Sequence, residues 1–145
     1  NMRVFEQDDF KKMNPQKAQI EEYALMQSRE SVLLPWIEEE RNTVTILHDE
    51  TPIVIIGIIP DPGISEVWAL ISKDISRAGL VMATKNINLC AKVMKGNGHT
   101  ILKTPIRVDF EQGKRWARMF DMKPTGKKED MFKNGIEYEY WRKEL

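Results

Sequence analysis

Hydrophobic and polar positions change period several times along the chain, and each change marks an element. Met2-Arg3-Val4-Phe5 is a short β-leaning run, and the acidic Glu6-Gln7-Asp8-Asp9 after it suits a turn into a helix. Asn14-Pro15 predicts a helix start: Asn accepts from orphaned backbone N–H groups, and Pro at the first helical position gives up a bond that would not form there. Ile20, Tyr23, Ala24 and Gln27 follow at helical spacing and leave one mostly apolar stripe. A second helical piece is expected from Ser31 to Glu40, kinked or broken at Pro35. Glu38-Glu39-Glu40 reads as its solvated end rather than as a site.

From Thr43 the period becomes that of strands. Thr43 to Leu47 and Ile53 to Ile59 are β-branched runs, and the polar stretch His48 to Pro52 is short enough for a hairpin loop. Pro60-Asp61-Pro62-Gly63 is a further turn cluster, and Ser65 to Ser72 completes a three-strand meander. The longest periodic helix then runs from Ser76 to Lys95, with Leu80, Ala83, Ile87, Cys90, Ala91 and Met94 on one face and Gly96-Asn97-Gly98 closing it. A strand from Thr100 to Ile106 follows, so the helix is a βαβ crossover, which implies parallel strands and a right-handed connection. Asp109-Phe110-Glu111-Gln112 has the form of a capping box ahead of a helix that presents Gly113, Trp116, Ala117 and Phe120. A ragged strand between Met122 and Phe132, an Asn134-Gly135 hairpin turn, and Ile136, Tyr138 and Tyr140 alternating with Glu137, Glu139 and Trp141 end the chain. The expected fold class is α+β in α/β/α layers, a mixed, mostly antiparallel sheet with a central βαβ crossover.

Composition narrows the function. At 145 residues the chain supports one core, hence a single domain over 2–145, with Asn1 ahead of Met2 reading as a cloning remnant. Its 22 basic and 22 acidic side chains cancel, which removes the long-range field of a general nucleic-acid binder. One cysteine and two histidines far apart in sequence form no internal disulfide and no metal-ligand spacing, so no metal site is expected, and Cys90 fits as a small core residue. The longest apolar run, Ile53 to Ile59, falls well short of the ~20 residues of a membrane helix. With no charged-then-apolar leader, a cytoplasmic location is expected.

The order of elements resembles the acyl-CoA N-acyltransferase fold of the GNAT superfamily. Thr43 to Gly57 is similar to that family's second and third strands, Glu66 to Ser72 to its fourth, and Lys114 to Met122 to its late helix. The resemblance covers nearly the whole chain after Met2. The Glu-Val-Trp strand and the Arg-Trp helix look most like a small phage-encoded branch that includes GNAT-like internal virion proteins, which implies the host cytosol or the virion as location. The resemblance implies that acetyl-CoA lays its amide-rich arm against main-chain groups left unpaired at Leu70, Ile71 and Ser72, across a gap from the strand near Thr104. Its pyrophosphate would sit on the next helix N-terminus, at Arg77, Ala78 and Gly79.

The same resemblance makes Glu66 the base for an incoming amine, its pKa raised by burial beside Val67 and Trp68. Three positions depart from the family's pattern. The phosphate loop has one glycine, Gly79, where two small residues belong; the late-helix tyrosine is Ala117; and the Gly-Phe ending reads Asp121-Met122. On the plainer reading Gly79 begins a closely packed helix and Arg77 is a solvated first-turn residue. Tyr138 and Tyr140 read as packing against the covered face of the sheet. The implied function is an acetyl-CoA-dependent N-acyltransferase acting on a primary amine, of a small molecule or a protein, by direct transfer. The alternative is a non-catalytic GNAT-like phage protein, a virion component or host-directed binding module, that has lost the cofactor loop. The terminal hairpin offers an edge to a second copy.

Overall fold

A computed structural model gives the structure of the protein and describes residues 1–6, 8–28, 43–59 and 64–145, leaving aside the side chains of 23–28. The expected helix from Ser31 to Glu40, its acidic end and the Pro60 to Gly63 turn lie outside the described residues. The elements are β1 (Met2–Val4), α1 (Asp9–Lys12), α2 (Lys17–Ser28), β2 (Thr43–His48), β3 (Thr51–Ile59), β4 (Ile64–Ile71), α3 (Arg77–Gly96), β5 (Ile101–Arg107), α4 (Glu111–Met119), β6 (Lys123–Glu129) and β7 (Tyr138–Glu144). The strands form one seven-stranded sheet in the order β1-β2-β3-β4-β5-β7-β6. The β4–β5 pairing is parallel and spans α3, as the crossover requires, while β1–β2, β2–β3, β5–β7 and β6–β7 are antiparallel. The fold class is therefore α+β with a mixed, mostly antiparallel sheet.

Compact packing divides the chain into two units, Asn1–Ile59 with Val67–Leu89 and Pro60–Glu66 with Cys90–Leu145. In the first unit, Phe5, Met13 and Ile55 form a buried cluster against which Phe10, Trp68 and Leu70 pack. The β2–β3 hairpin is tighter than its polar loop suggests: Asp49 and Glu50 take positive φ values of 50° and 64°, as a two-residue hairpin turn needs, and His48 pairs directly with Thr51. Gly57 has a packing role. A side chain there would overlap the Trp68 ring.

In the second unit, Ile106, Ala117 and Trp141 are buried together, with Phe110 and Met122 packed on them. Gly113 lets α4 close on Phe110, because a Cβ there would stand 2.6 Å from the ring. The capping box does not form: Asp109 instead binds the Arg107 guanidinium, and no side chain caps α4. Nor is the last hairpin a two-residue turn. Residues 130–137 make a wider loop in which the Asp130 carboxylate accepts the N–H groups of Asn134 and Gly135. Along β7 Tyr138 is buried on the face it shares with Tyr140, and Trp141 is buried on the opposite face, so the strand is covered on both sides.

The start of α2 also differs from expectation. Pro15 forms an isolated antiparallel bridge with Ser72, the Asn14 side-chain amide donates to the Asp74 carboxylate instead of capping, and the helix begins at Lys17. Ile20 is 52% exposed whereas Gln19 is 8% exposed, so at the start of α2 the polar residue is buried and the apolar one is not; the side chains of Tyr23, Ala24 and Gln27 lie outside those described. The physical reason is that the Gln19 carboxamide pairs with main-chain groups of β4. No helix among the described residues is long and apolar enough to cross a membrane.

Candidate active site

Within the second unit, Glu66 ends the β4–β5 ladder, which comprises Ile64, Ser65 and Glu66 opposite Ile101, Leu102 and Lys103. β5 continues through Pro105, which has no N–H to give to a ladder. Partners in register point to the same face of a sheet, so Glu66 and Lys103 share one face. In the β5–β7 register Lys103 faces Arg142, which sets Tyr140 diagonally across from it, and the Lys103 ammonium stands 5.5 Å from the centre of the Tyr140 ring. Lys127 lies 5.6 Å from the same ring, and the Tyr140 hydroxyl donates to Glu129 at 3.2 Å. Two carboxylates, two ammonium groups and a phenol thus meet on one face of four strands.

Burial raises the Glu66 carboxyl above the ordinary glutamate range, Lys103 pulls it partly back, and Glu129 pushes it further up. Burial, with the negative charges of Glu66 and Glu129, holds the Tyr140 phenol protonated, its pKa pushed up to about 12. Sequence reading finds Glu66 but neither Lys103 nor Glu129, and it assigns Tyr140 to packing. Only the strand registers bring these residues together. Beside Glu66, the fully buried Ser65 hydroxyl lies 2.6 Å from His99 Nδ1, a pairing that orders the start of β4 without exposing a nucleophile. Burial pushes the Cys90 thiol up, away from thiolate character.

Within the first unit, the end of β4 and the start of α3 carry the residues expected to hold a cofactor. Three of their main-chain amides, those of Ile71, Ser72 and Gly79, are already engaged. The Ile71 N–H donates to Gln19 Oε1 at 3.1 Å, Gln19 Nε2 donates to the Ala69 carbonyl at 2.6 Å, and the Ser72 N–H donates to the Ile53 carbonyl at 2.9 Å. This corrects the expectation of unpaired groups at Leu70 to Ser72, for the Ile71 and Ser72 amides. At the helix, Ser76 acts as N-cap, its hydroxyl accepting the Gly79 N–H at 3.0 Å. Gly79 is closely packed: a Cβ would stand 3.2 Å from Ser76 Oγ and 3.4 Å from Ile53 Cδ1. Arg77 and Ala78 are exposed and line an open hollow with Val81, Met82 and Lys85, which places the Arg77 guanidinium at the helix N-terminus and a second cation, Lys85, about two turns further along.

No protein-family model and no curated protein matched the sequence. Solved structures match over the full length. A ribosomal-protein-alanine N-acetyltransferase from Brucella melitensis superposes with a TM-score of 0.64 at 13% identity, covering 100% of this chain and 99% of its own. A probable acetyltransferase from Staphylococcus epidermidis gives a TM-score of 0.69 at 11% identity over 100% and 98%, and an acetyltransferase of the GNAT family from Streptococcus pneumoniae gives 0.63 at 13% over 100% and 98%. The chain has the GNAT fold.

Proposed function

We propose that the protein is an acyl-CoA N-acyltransferase that modifies a primary amine, with Glu66 as the proton acceptor. The observation that supports this best is a carboxyl raised by burial on β4, in a row with Lys103 and Tyr140. A primary amine is an ammonium ion near neutral pH and becomes a nucleophile only after losing a proton, which a carboxylate with an elevated pKa takes more readily than an ordinary one. Acetyl-CoA, the implied acyl donor, supplies the activated thioester. The amine nitrogen then bonds to the acyl carbon as the carbon–sulfur bond breaks, and the departing sulfur takes a proton. Arg77, Ala78 and Lys85 offer positive charge and exposed helix N–H groups to the donor's phosphates. Tyr140 contributes a phenol that stays protonated across the working range.

A second reading, a GNAT-fold binding module without catalysis, is favoured by one observation. Gln19 and Ser76 already satisfy main-chain groups that a cofactor would use.

Thermal unfolding with acetyl-CoA decides between them. A ligand at one hundred times its dissociation constant stabilises the fold by about 2.7 kcal/mol, which raises the midpoint by several degrees. No shift at millimolar acetyl-CoA would leave only the binding module. If a shift appears, Glu66→Gln retains it but slows amine-dependent release of free thiol. In the wild type that rate rises with pH through a pKa above the ordinary glutamate value, since only the ionised carboxyl accepts the proton; the Gln variant lacks this limb. Equal turnover in the two proteins would take the base role from Glu66.

A further inference from the structure

Alternate residues of a strand turn their N–H and C=O groups toward opposite edges. The Ser72 N–H points to β3, where it meets the Ile53 carbonyl. Ala69, Ile71 and Lys73 therefore face the other edge, the one on which the donor's extended arm would have to run. All three are taken by one short stretch of chain. Gln19 Nε2 binds the Ala69 carbonyl, Gln19 Oε1 accepts the Ile71 N–H, and the Asn14 carbonyl accepts the Lys73 N–H at 2.8 Å, with Pro15 bridging Ser72 between them. A primary carboxamide presents a donor and an acceptor side by side, which is what the i and i+2 positions of a strand edge demand of a neighbouring strand. Gln19 is a buried polar residue on a helix whose neighbour Ile20 faces solvent. A leucine there would bury more apolar surface but leave two main-chain groups of β4 unpaired, and an unmade buried hydrogen bond costs more than a made one gains.

We propose that the Gln19 carboxamide and the amide-bearing arm of an acyl-CoA compete for the same edge of β4, so that Gln19 sets the affinity of the thioester and withdraws when it binds. This rests on the acyltransferase reading. The nucleotide end of the ligand, directed to the exposed start of α3, escapes the competition. Removing the carboxamide leaves the Ala69 and Ile71 groups unpaired in the free protein, and the arm then restores their hydrogen bonds without displacing anything.

Calorimetric titration of wild type, Gln19→Ala and Gln19→Met tests the proposal with two probes, acetyl-CoA and ADP, the second lacking the arm. Gln19→Met keeps the length of the side chain, so it preserves packing if the alanine variant is poorly folded. Both variants are expected to bind acetyl-CoA about tenfold more tightly than wild type, the equivalent of about one recovered hydrogen bond, with ADP affinity unchanged. Amide exchange supplies a readout inside the protein: the Ile71 N–H exchanges faster in the unliganded variants, and acetyl-CoA slows it again. Equal acetyl-CoA affinity in all three proteins, or weaker binding by the variants, overturns the competition while leaving the acyltransferase reading intact. Failure of all three to bind acetyl-CoA at millimolar concentration overturns both.

Discussion

Asp9 has no exposed surface and is held by both terminal nitrogens of Arg3, the Glu6 N–H and the Thr45 hydroxyl, at 2.7–2.9 Å. Burial alone would raise its pKa, but these donors outweigh burial and keep the carboxyl below the ordinary range. In sequence Asp9 reads only as part of an acidic turn. Its role comes from the β1–β2 register, which sets Arg3 opposite Thr45 and so aims two distant donors at one point. Asp9→Asn turns one acceptor oxygen into a donor facing donors, and should cost about 2 kcal/mol by urea unfolding at neutral pH, less than breaking a fully buried pair because Arg3 keeps some contact with water. The folded pKa lies below the unfolded one. The contribution is therefore complete at neutral pH and is lost as pH falls through the ordinary carboxylate range toward the folded value. Wild type should lose more stability than Asp9→Asn between about pH 6 and about pH 3. Parallel losses would show that Asp9 is not the titrating group.

At the scale of elements, the inner strands, the long crossover helix and α4 are legible because each buries a face whose period the sequence repeats. What escapes is set by partners distant in the chain. Asn14-Pro15 has every local mark of a helix start, yet β4 recruits it as a bridge. Asp109 has every mark of a cap, yet Arg107 claims it. The row Glu66, Lys103, Tyr140 and Glu129 spans four strands and becomes visible only through their registers. In the sequence Gly57 is only one position of the Ile53 to Ile59 strand, and the reason for a glycine there is the Trp68 ring lying on it. Gly57→Ala should cost about 2 kcal/mol, as overpacking does. In a Trp68→Leu background, which sacrifices no hydrogen bond because Trp68 Nε1 has no partner among the described residues, the same change should cost less than half as much. Equal costs in both backgrounds would mean that the ring is not what keeps position 57 bare.

For the whole molecule, charge and sheet edges decide how copies meet. Equal numbers of acidic and basic side chains, 22 of each, leave no overall repulsion to hold molecules apart. Protection then has to be local, at the two edges of the sheet. β1 is three residues long and offers little to pair with. β6, at the other edge, is seven residues long and exposed throughout. Lys123, Lys127 and Lys128 give it like charges, Pro124 removes a donor, and its pairing with β7 shifts register between Pro124 and Lys128, around Gly126 at a φ of 80°. Lysine, proline and a bulge are three separate means of stopping an edge strand from pairing with another copy. The terminal hairpin is thus an edge whose own sequence opposes the pairing that its position invites. Replacing all three lysines with threonine keeps β propensity and removes the charge, so the variant should self-associate as concentration rises in sedimentation velocity, while wild type under the same conditions does not. Added salt should move wild type toward the variant, because it screens the lysines without altering the strand. If the triple variant sediments as wild type at every concentration, the bulge and proline suffice, and the lysines of β6 do not guard the edge.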